Sequence, residues 1–278
     1  MSVSLCFPDS NKSCFGCCPP IRPPGYDHAD YKNIIKRVLR ENSSEYKAGE
    51  TGIKPVTGYS CWGLGYIDSS RRLIGCLLHP MVNNGNDLRY RIDYGNKCAR
   101  ERCREEQVFS MMNPEEQSFW LSLTCGMDSF EYSSRKHNPL FRILGWGNRL
   151  LAAVTDNDRR RYPDMDRFFE QYPFFTAMLS PKGNSLLINS LVSKKGAGLL
   201  KDNVFKGEFE SFSKSLIKKI MSGFKLPGDG CFVHKLGIDM RLSDFIRINL
   251  NVQKADIYLV NELHDFVKKE LEIFCGKI

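Results

Sequence analysis

Cys14-Phe15-Gly16-Cys17-Cys18 places three sulfurs within five positions, and the chain runs from it straight into Pro19-Pro20 and Pro23-Pro24-Gly25. A C-x-x-C turn brings two sulfurs within reach of one ion, and a thiolate is a strong, soft ligand for zinc or an iron–sulfur cluster. Cys6, Cys61, Cys76, Cys98 and Cys103 also fall within the first 103 residues, so eight of the eleven cysteines occupy about the first third of the chain. That density reads as a loop-rich N-terminal metal-binding domain over residues 1–106. Its candidate ligands are Cys6, Cys14, Cys17, Cys18, Cys61, Cys76, Cys98 and Cys103. The adjacent Cys17 and Cys18 are expected to be unequal, because neighbouring side chains of an extended segment point apart. One of them would serve a second ion or stay free.

The compartment decides how such thiols are read. The opening residues, Met1 to Asp9, have no cationic stretch followed by an apolar one, and nowhere do about 18 apolar residues run together. The expectation is a cytoplasmic protein with no membrane association. Thiols are kept reduced there, so a dense cluster points to metal rather than to disulfides, and an odd total of eleven also fits a complete disulfide framework poorly. Cys125, Cys231 and Cys275 lie far from any C-x-x-C spacing and read as packed core thiols.

Outward from the cysteine turn, Tyr31, Ile34, Ile35, Val38 and Leu39 recur at helical spacing and predict a short amphipathic helix over about 27–40. His28 reads as an exposed residue near the start of that helix, and the polar, glycine-containing stretch 42–58 as a loop. Asp68-Ser69-Ser70-Arg71 reads as a turn between two apolar runs, so Cys61 and Cys76 flank a hairpin and approach at its open end. His79, before Pro80, reads as a packed residue rather than a ligand. Cys98 and Cys103 are five positions apart, about 140° around a helix, and can share a site only if Cys98 precedes the helix. The run from Glu101 to Glu106 reads as a solvated helix start.

From residue 107 the pattern turns helical, which predicts an α-helical domain over 107–278 and a mainly α protein. Asn113-Pro114-Glu115-Glu116 has the cap, the proline and the first-turn acids of a helix start. Pro173 is expected to break the aromatic-rich stretch 162–179. Leu226 to Gly230 reads as a turn, and Ile257, Val260, Leu263, Val267, Leu271 and Phe274 form the inner face of a last helix over about 255–274. The net charge of +8 is dispersed over Lys194-Lys195, Lys218-Lys219 and Lys268-Lys269 rather than gathered into a stripe with aromatics. That argues against a nucleic-acid partner. No repeat, P-loop, G-x-G-x-x-G or G-x-S-x-G motif is present, and Asp164, Asp166, Glu115 and Glu116 read as helix-start acids rather than as an acid–base pair.

Cys14-Phe15-Gly16-Cys17-Cys18, followed by Cys61 and then by Gly75-Cys76-Leu77-Leu78-His79-Pro80, resembles the YkgJ-like cysteine-cluster family, described as a zinc- or iron-chelating domain. The resemblance covers about residues 6–103, and a similar cluster occurs in flagellin lysine N-methylases. It implies metal ligation by Cys14, Cys17, Cys18, Cys61 and Cys76. Many relatives carry a further cysteine where this chain has Asn11, and the family's Arg-Pro-x-x-Cys ending is not met after His79-Pro80. Cys6, Cys98 and Cys103 stand as replacements. The expected function is binding of zinc or an iron–sulfur cluster. The alternatives are a methyl-transferring or redox enzyme that uses the cluster, and a zinc-stapled module whose basic surface meets a protein partner.

Overall fold

Asp27 accepts the amide of Ala29 and holds residues 28–31 in turns, so the first helix, α1, begins at Lys32 and runs to Glu45. The structure, a computed structural model, describes residues 4–18, 25–47, 49, 51–57, 60–100, 102–158, 160–226 and 230–278, with Ala99 and Arg100 in backbone only. The expected proline-rich exit at 19–24 and the turn at 227–229 lie outside these residues, as do Gly58, Glu101 and Arg159. The chain is mainly helical and divides into two compact units, Met1–Phe141 and Arg142–Ile278.

In the first unit, α1 runs on to Glu45 and takes in residues 42–45 of the polar stretch expected to be a loop; the described residues from 46 to 57 form no helix. Polar residues of α1 have partners. Asn42 donates to the carbonyls of Cys61 and Leu64 at 3.1 and 2.8 Å, and the Ser43 hydroxyl donates to Leu39 and accepts from Tyr66. Ile35 and Leu39 are buried, while Tyr31 and Ile34 face solvent. The expected hairpin is present: β1 (Leu64–Tyr66) pairs antiparallel with β2 (Ile74–Cys76), Leu64 opposite Cys76. Asp68 closes its turn by accepting the amides of Arg72 and Leu73. A 3-10 turn at Arg89–Arg91 leads to α2 (Gly95–Arg100), α3 (Arg104–Ser110), α4 (Pro114–Ser122) and α5 (Ser129–Ser133). Asn113 caps α4 as foreseen, and Glu116 reaches back to the Asn113 amide to complete a capping box.

The division between the units falls after Phe141, later than the boundary expected at 106/107. Falling cysteine density marked where the candidate ligands end, but α5 carries the serines that hold the cysteine turn and so belongs to the same unit. His28 also departs from expectation. It is buried, with its ring 4.6 Å from that of Phe15 and its Nδ1 3.2 Å from the Tyr26 hydroxyl.

The second unit contains α6 from its Arg142 onward (Leu140–Leu144), α7 (Asn148–Asn157), α8 (Met165–Gln171), α9 (Pro181–Lys195) and α10 (Asn203–Gly223). After β3 (Cys231–Phe232), α11 (Met240–Asp244) continues into a π-helical stretch, Phe245–Asn249, and β4 (Lys254–Ala255) precedes α12 (Ile257–Cys275). Pro173 ends α8 and starts a 3-10 turn, as anticipated. The core is aromatic: Phe174 packs on Trp146, Phe205 and Phe209 at 5.0–6.1 Å. On α12, Val260, Leu263, Val267 and Leu271 are buried, whereas Ile257 is 39% exposed and Phe274 instead stacks on Phe212 at 4.3 Å. Among the described residues no helix is long and apolar enough to cross a membrane.

Candidate metal centre

The turn at Cys14 to Cys18 is held by hydroxyls. Ser13 bridges to β2, its Oγ 2.7 Å from both the amide and the carbonyl of Ile74. The amides of Ser13 and Phe15 donate to Ser129 and Ser133 on α5, each at 3.0 Å. Phe15 is thereby sunk into the apolar cluster, and the amide of Cys18 closes onto the Phe15 carbonyl at 3.0 Å. Gly16 packs closely: a Cβ there would lie 3.2 Å from the Ser133 carbonyl and 3.3 Å from the Cys14 sulfur, so a larger residue would need its neighbours to give way slightly.

Around this turn a cavity of about 710 Å³ is lined by Cys6, Cys14, Cys17, Cys18, Cys61, Cys76, Cys98 and Cys103. These are the eight candidate ligands, drawn from a strap, a turn, a hairpin and two helix ends. None of the eleven cysteines is joined in a disulfide. Cys61 and Cys76 flank the hairpin at its open end as expected. Cys98 and Cys103 meet the cavity by another route than the one foreseen, since Cys98 sits inside α2 and Cys103 is the N-cap of α3. Two elements supply them, so the angular restriction of a single helix does not apply. Gly95 sets the approach of α2: a Cβ there would fall 2.3 Å from the Arg89 carbonyl, and the close packing lets Arg89 Nη1 donate to the Cys98 carbonyl at 3.0 Å.

Backbone amides favour several of the sulfurs. Gly16 N–H reaches Cys14 Sγ and Glu106 N–H reaches Cys103 Sγ, both at 3.4 Å, and the amides of Gly63 and Leu78 act to lower the Cys61 and Cys76 thiols. Each donor lies two or three residues downstream, so a tight turn at each cysteine aims an N–H at its sulfur. Such donors favour the anionic thiolate. Burial acts the other way: it is the largest influence pushing the thiols of Cys14 and Cys76 up to about 12 and that of Cys61 up to about 11. Burial likewise raises Cys6, Cys98 and Cys103, and Cys18 is raised by its hydrogen bond with Cys17 and then by burial. Positive charge offsets part of that cost: Arg89 acts so on Cys76 and Cys98, and Arg135 on Cys14 and Cys103.

The cavity wall also carries Arg89, Lys97, Arg102 and Arg135, together with Glu106 and His79. Asp87 holds Arg89 at 2.6 Å, while Arg135 pairs with Glu105 at 3.3 Å and lies over the Phe141 ring. Glu105 is buried and Glu106 accepts the amide of Leu5 at 2.9 Å, so these two acids turn inward, while Arg102 is exposed as expected of a solvated helix start. His79 Nδ1 accepts from the Met81 amide at 3.2 Å. Among the described residues no three Cys, His, Asp or Glu side chains converge tightly enough to hold an ion as they stand. The donor chemistry suits a thiolate centre, and ligation would require the sulfurs to draw inward across the cavity.

Cys125, Cys231 and Cys275 lie outside this constellation. The first two are exposed, not packed core thiols: Cys125 follows the end of α4 and Cys231 sits on a two-residue strand. Ser129, Ser133, Arg89 and Arg135 went unforeseen. Their only sequence signal is a serine pair spaced for one helix face and isolated arginines, both common. No family model, curated protein or solved structure matches the chain.

Proposed function

We propose that the first unit is a metal-binding module whose cysteine cavity holds zinc or an iron–sulfur cluster through thiolate ligands. The observation that carries this reading is the convergence of eight thiols, scattered from Cys6 to Cys103, on one cavity wall. Apolar packing alone gives no reason for eight sulfurs to share a surface, whereas a thiophilic centre does. The amides aimed at Cys14, Cys61, Cys76 and Cys103 and the arginines on the wall favour negative charge there. An all-thiolate donor set suits zinc and iron–sulfur clusters alike and disfavours magnesium or calcium. The same chemistry requires a compartment that keeps thiols reduced, which supports a cytoplasmic site of action. The test is elemental analysis with a visible absorption scan on protein purified without oxygen. Zinc in a colourless protein, or iron with sulfide and visible colour, is the expected result. Protein carrying neither metal at about one equivalent per chain overturns the reading.

A further inference from the structure

Eight thiols are too many for one tetrahedral ion or one cluster, each of which takes about four. We propose that the cavity holds two metal centres side by side, with Cys6, Cys14, Cys17 and Cys103 around one and Cys18, Cys61, Cys76 and Cys98 around the other. The inference rests on the metal-binding reading of the cavity and specifies how its donors are shared.

Backbone connections sort the thiols this way. In the first set, the Cys14 amide donates to the Cys6 carbonyl at 2.8 Å, so these two cysteines come from facing segments. The Leu5 amide donates to Glu106 at 2.9 Å, which ties the strap carrying Cys6 to the first turn of α3, capped by Cys103. In the second set, Leu64 pairs with Cys76 across the hairpin and its amide donates to the Cys61 carbonyl at 3.0 Å. Cys61 belongs to the apolar cluster around Phe15, and Cys18 and Cys76 pack against it; among the described residues Cys6, Cys14, Cys17, Cys98 and Cys103 are not part of that cluster. Arg89 attaches Cys98 to this set, since it donates to the Cys98 carbonyl and its charge acts on both Cys76 and Cys98.

Electrostatic neighbours divide along the same line. Cys6 is influenced by Cys14, Cys17 and Cys103, whereas Cys76 is influenced by Cys61 and Cys98. Each set contains two sulfurs with an amide aimed at them: Cys14 and Cys103 in the first, Cys61 and Cys76 in the second. Cys17 lies at the junction, acting on Cys6, Cys14 and Cys103 as well as on Cys18 and Cys98. It completes the first set, which otherwise has three thiols. The consecutive Cys17 and Cys18 thus part to different centres.

The experiment uses full-length protein purified without oxygen: the parent, Cys14→Ser, Cys76→Ser and the double variant. Metal per chain is measured for each, and unligated cysteines are mapped by alkylation under native conditions followed by mass spectrometry. The parent is expected to hold about two zinc ions, or iron and sulfide for about two clusters. Each single variant should retain half of that metal and the double variant none. In Cys14→Ser, Cys6, Cys17 and Cys103 become reactive while Cys18, Cys61, Cys76 and Cys98 stay protected; Cys76→Ser gives the reverse pattern. Graded chelation of the parent should expose the same two groups in turn, so the partition is tested even where a variant does not fold. One centre per chain in the parent, or all eight thiols exposed together on chelation, overturns the two-centre arrangement and leaves metal binding standing. A parent with no metal removes both.

Discussion

The two units are built around different interiors. The second is packed with rings: Trp146, Phe174, Phe205 and Phe209 are each no more than 2% exposed, and α9, α10 and α12 each bury one face over fifteen residues or more. The first has a smaller apolar cluster around Phe15, Ile35 and Leu39, short helices, and beside that cluster a cavity of about 710 Å³ walled by sulfur. Close packing supplies cohesion in the one, while in the other the wall consists of groups whose strongest available partner is a metal ion. If the cavity binds metal as proposed, the first unit's stability is linked to a ligand, while the second unit's is contained in its own contacts.

Metal removal tests that contrast most severely. A chelator acting on the loaded protein should withdraw binding energy on the order of 10 kcal/mol from the first unit. Hydrogen exchange read by mass spectrometry should then rise across peptides from 4–141 and stay constant across 142–278; a uniform rise, or none, would break the comparison. Acid should reach the same end more gradually. Ligation needs thiolates, and burial makes Cys14, Cys61 and Cys76 harder to ionise than ordinary thiols. Protons therefore compete well, metal occupancy falls as pH falls, and the stability that metal confers is lost in that direction. The second unit has its own acid-labile group: Arg160, assisted by hydrogen bonds from Tyr162 and Lys201, holds Asp158 well below the usual carboxylate range. A carboxylate lowered in this way contributes stability above the ordinary value of 3.8, and that stability is lost only as pH falls below it. Acid titration followed by metal release and by exchange in the two units should show the first unit loosening at the higher pH.

Single substitutions sharpen the same contrast. Phe174→Ala removes the ring that Trp146, Phe205 and Phe209 surround and should cost roughly 3 to 5 kcal/mol in denaturant unfolding of the second unit, with metal content unchanged. Ser133→Ala leaves the buried Phe15 amide without its acceptor and should cost about 1 to 3 kcal/mol. It should also weaken metal retention in competition with a chromophoric chelator, because the Cys14 to Cys18 turn loses an anchor. Loss of stability with retention unchanged would show that the turn positions itself. Cys125→Ser and Cys231→Ser, at exposed sites, should stay within about 0.5 kcal/mol of the parent with full metal content.

How far the chain could be read from its residues follows from the range of the interactions involved. The hairpin, the helix cap at Asn113 and the break at Pro173 were legible because each depends on neighbours a few positions away. The eight cavity cysteines were legible as a group by density and by the C-x-x-C spacing. The start of α1 was not, since a side-chain turn at Asp27 delays it, nor was its end, since Asn42 and Ser43 find partners on the hairpin. His28 gave no local sign that Phe15 would cover it.

The sequence by itself determined a mainly helical chain with its thiols crowded into one end, because helical periodicity and residue type are local properties. Only the tertiary structure decided that Cys6 faces Cys14, that Cys98 and Cys103 enter from separate helices, and that Ser129 and Ser133 hold the turn between them from far along the chain. Those placements rest on hydrogen bonds and packing between residues up to 120 positions apart. Spacing along a chain carries no record of such contacts, and the wall of the cavity is made of them.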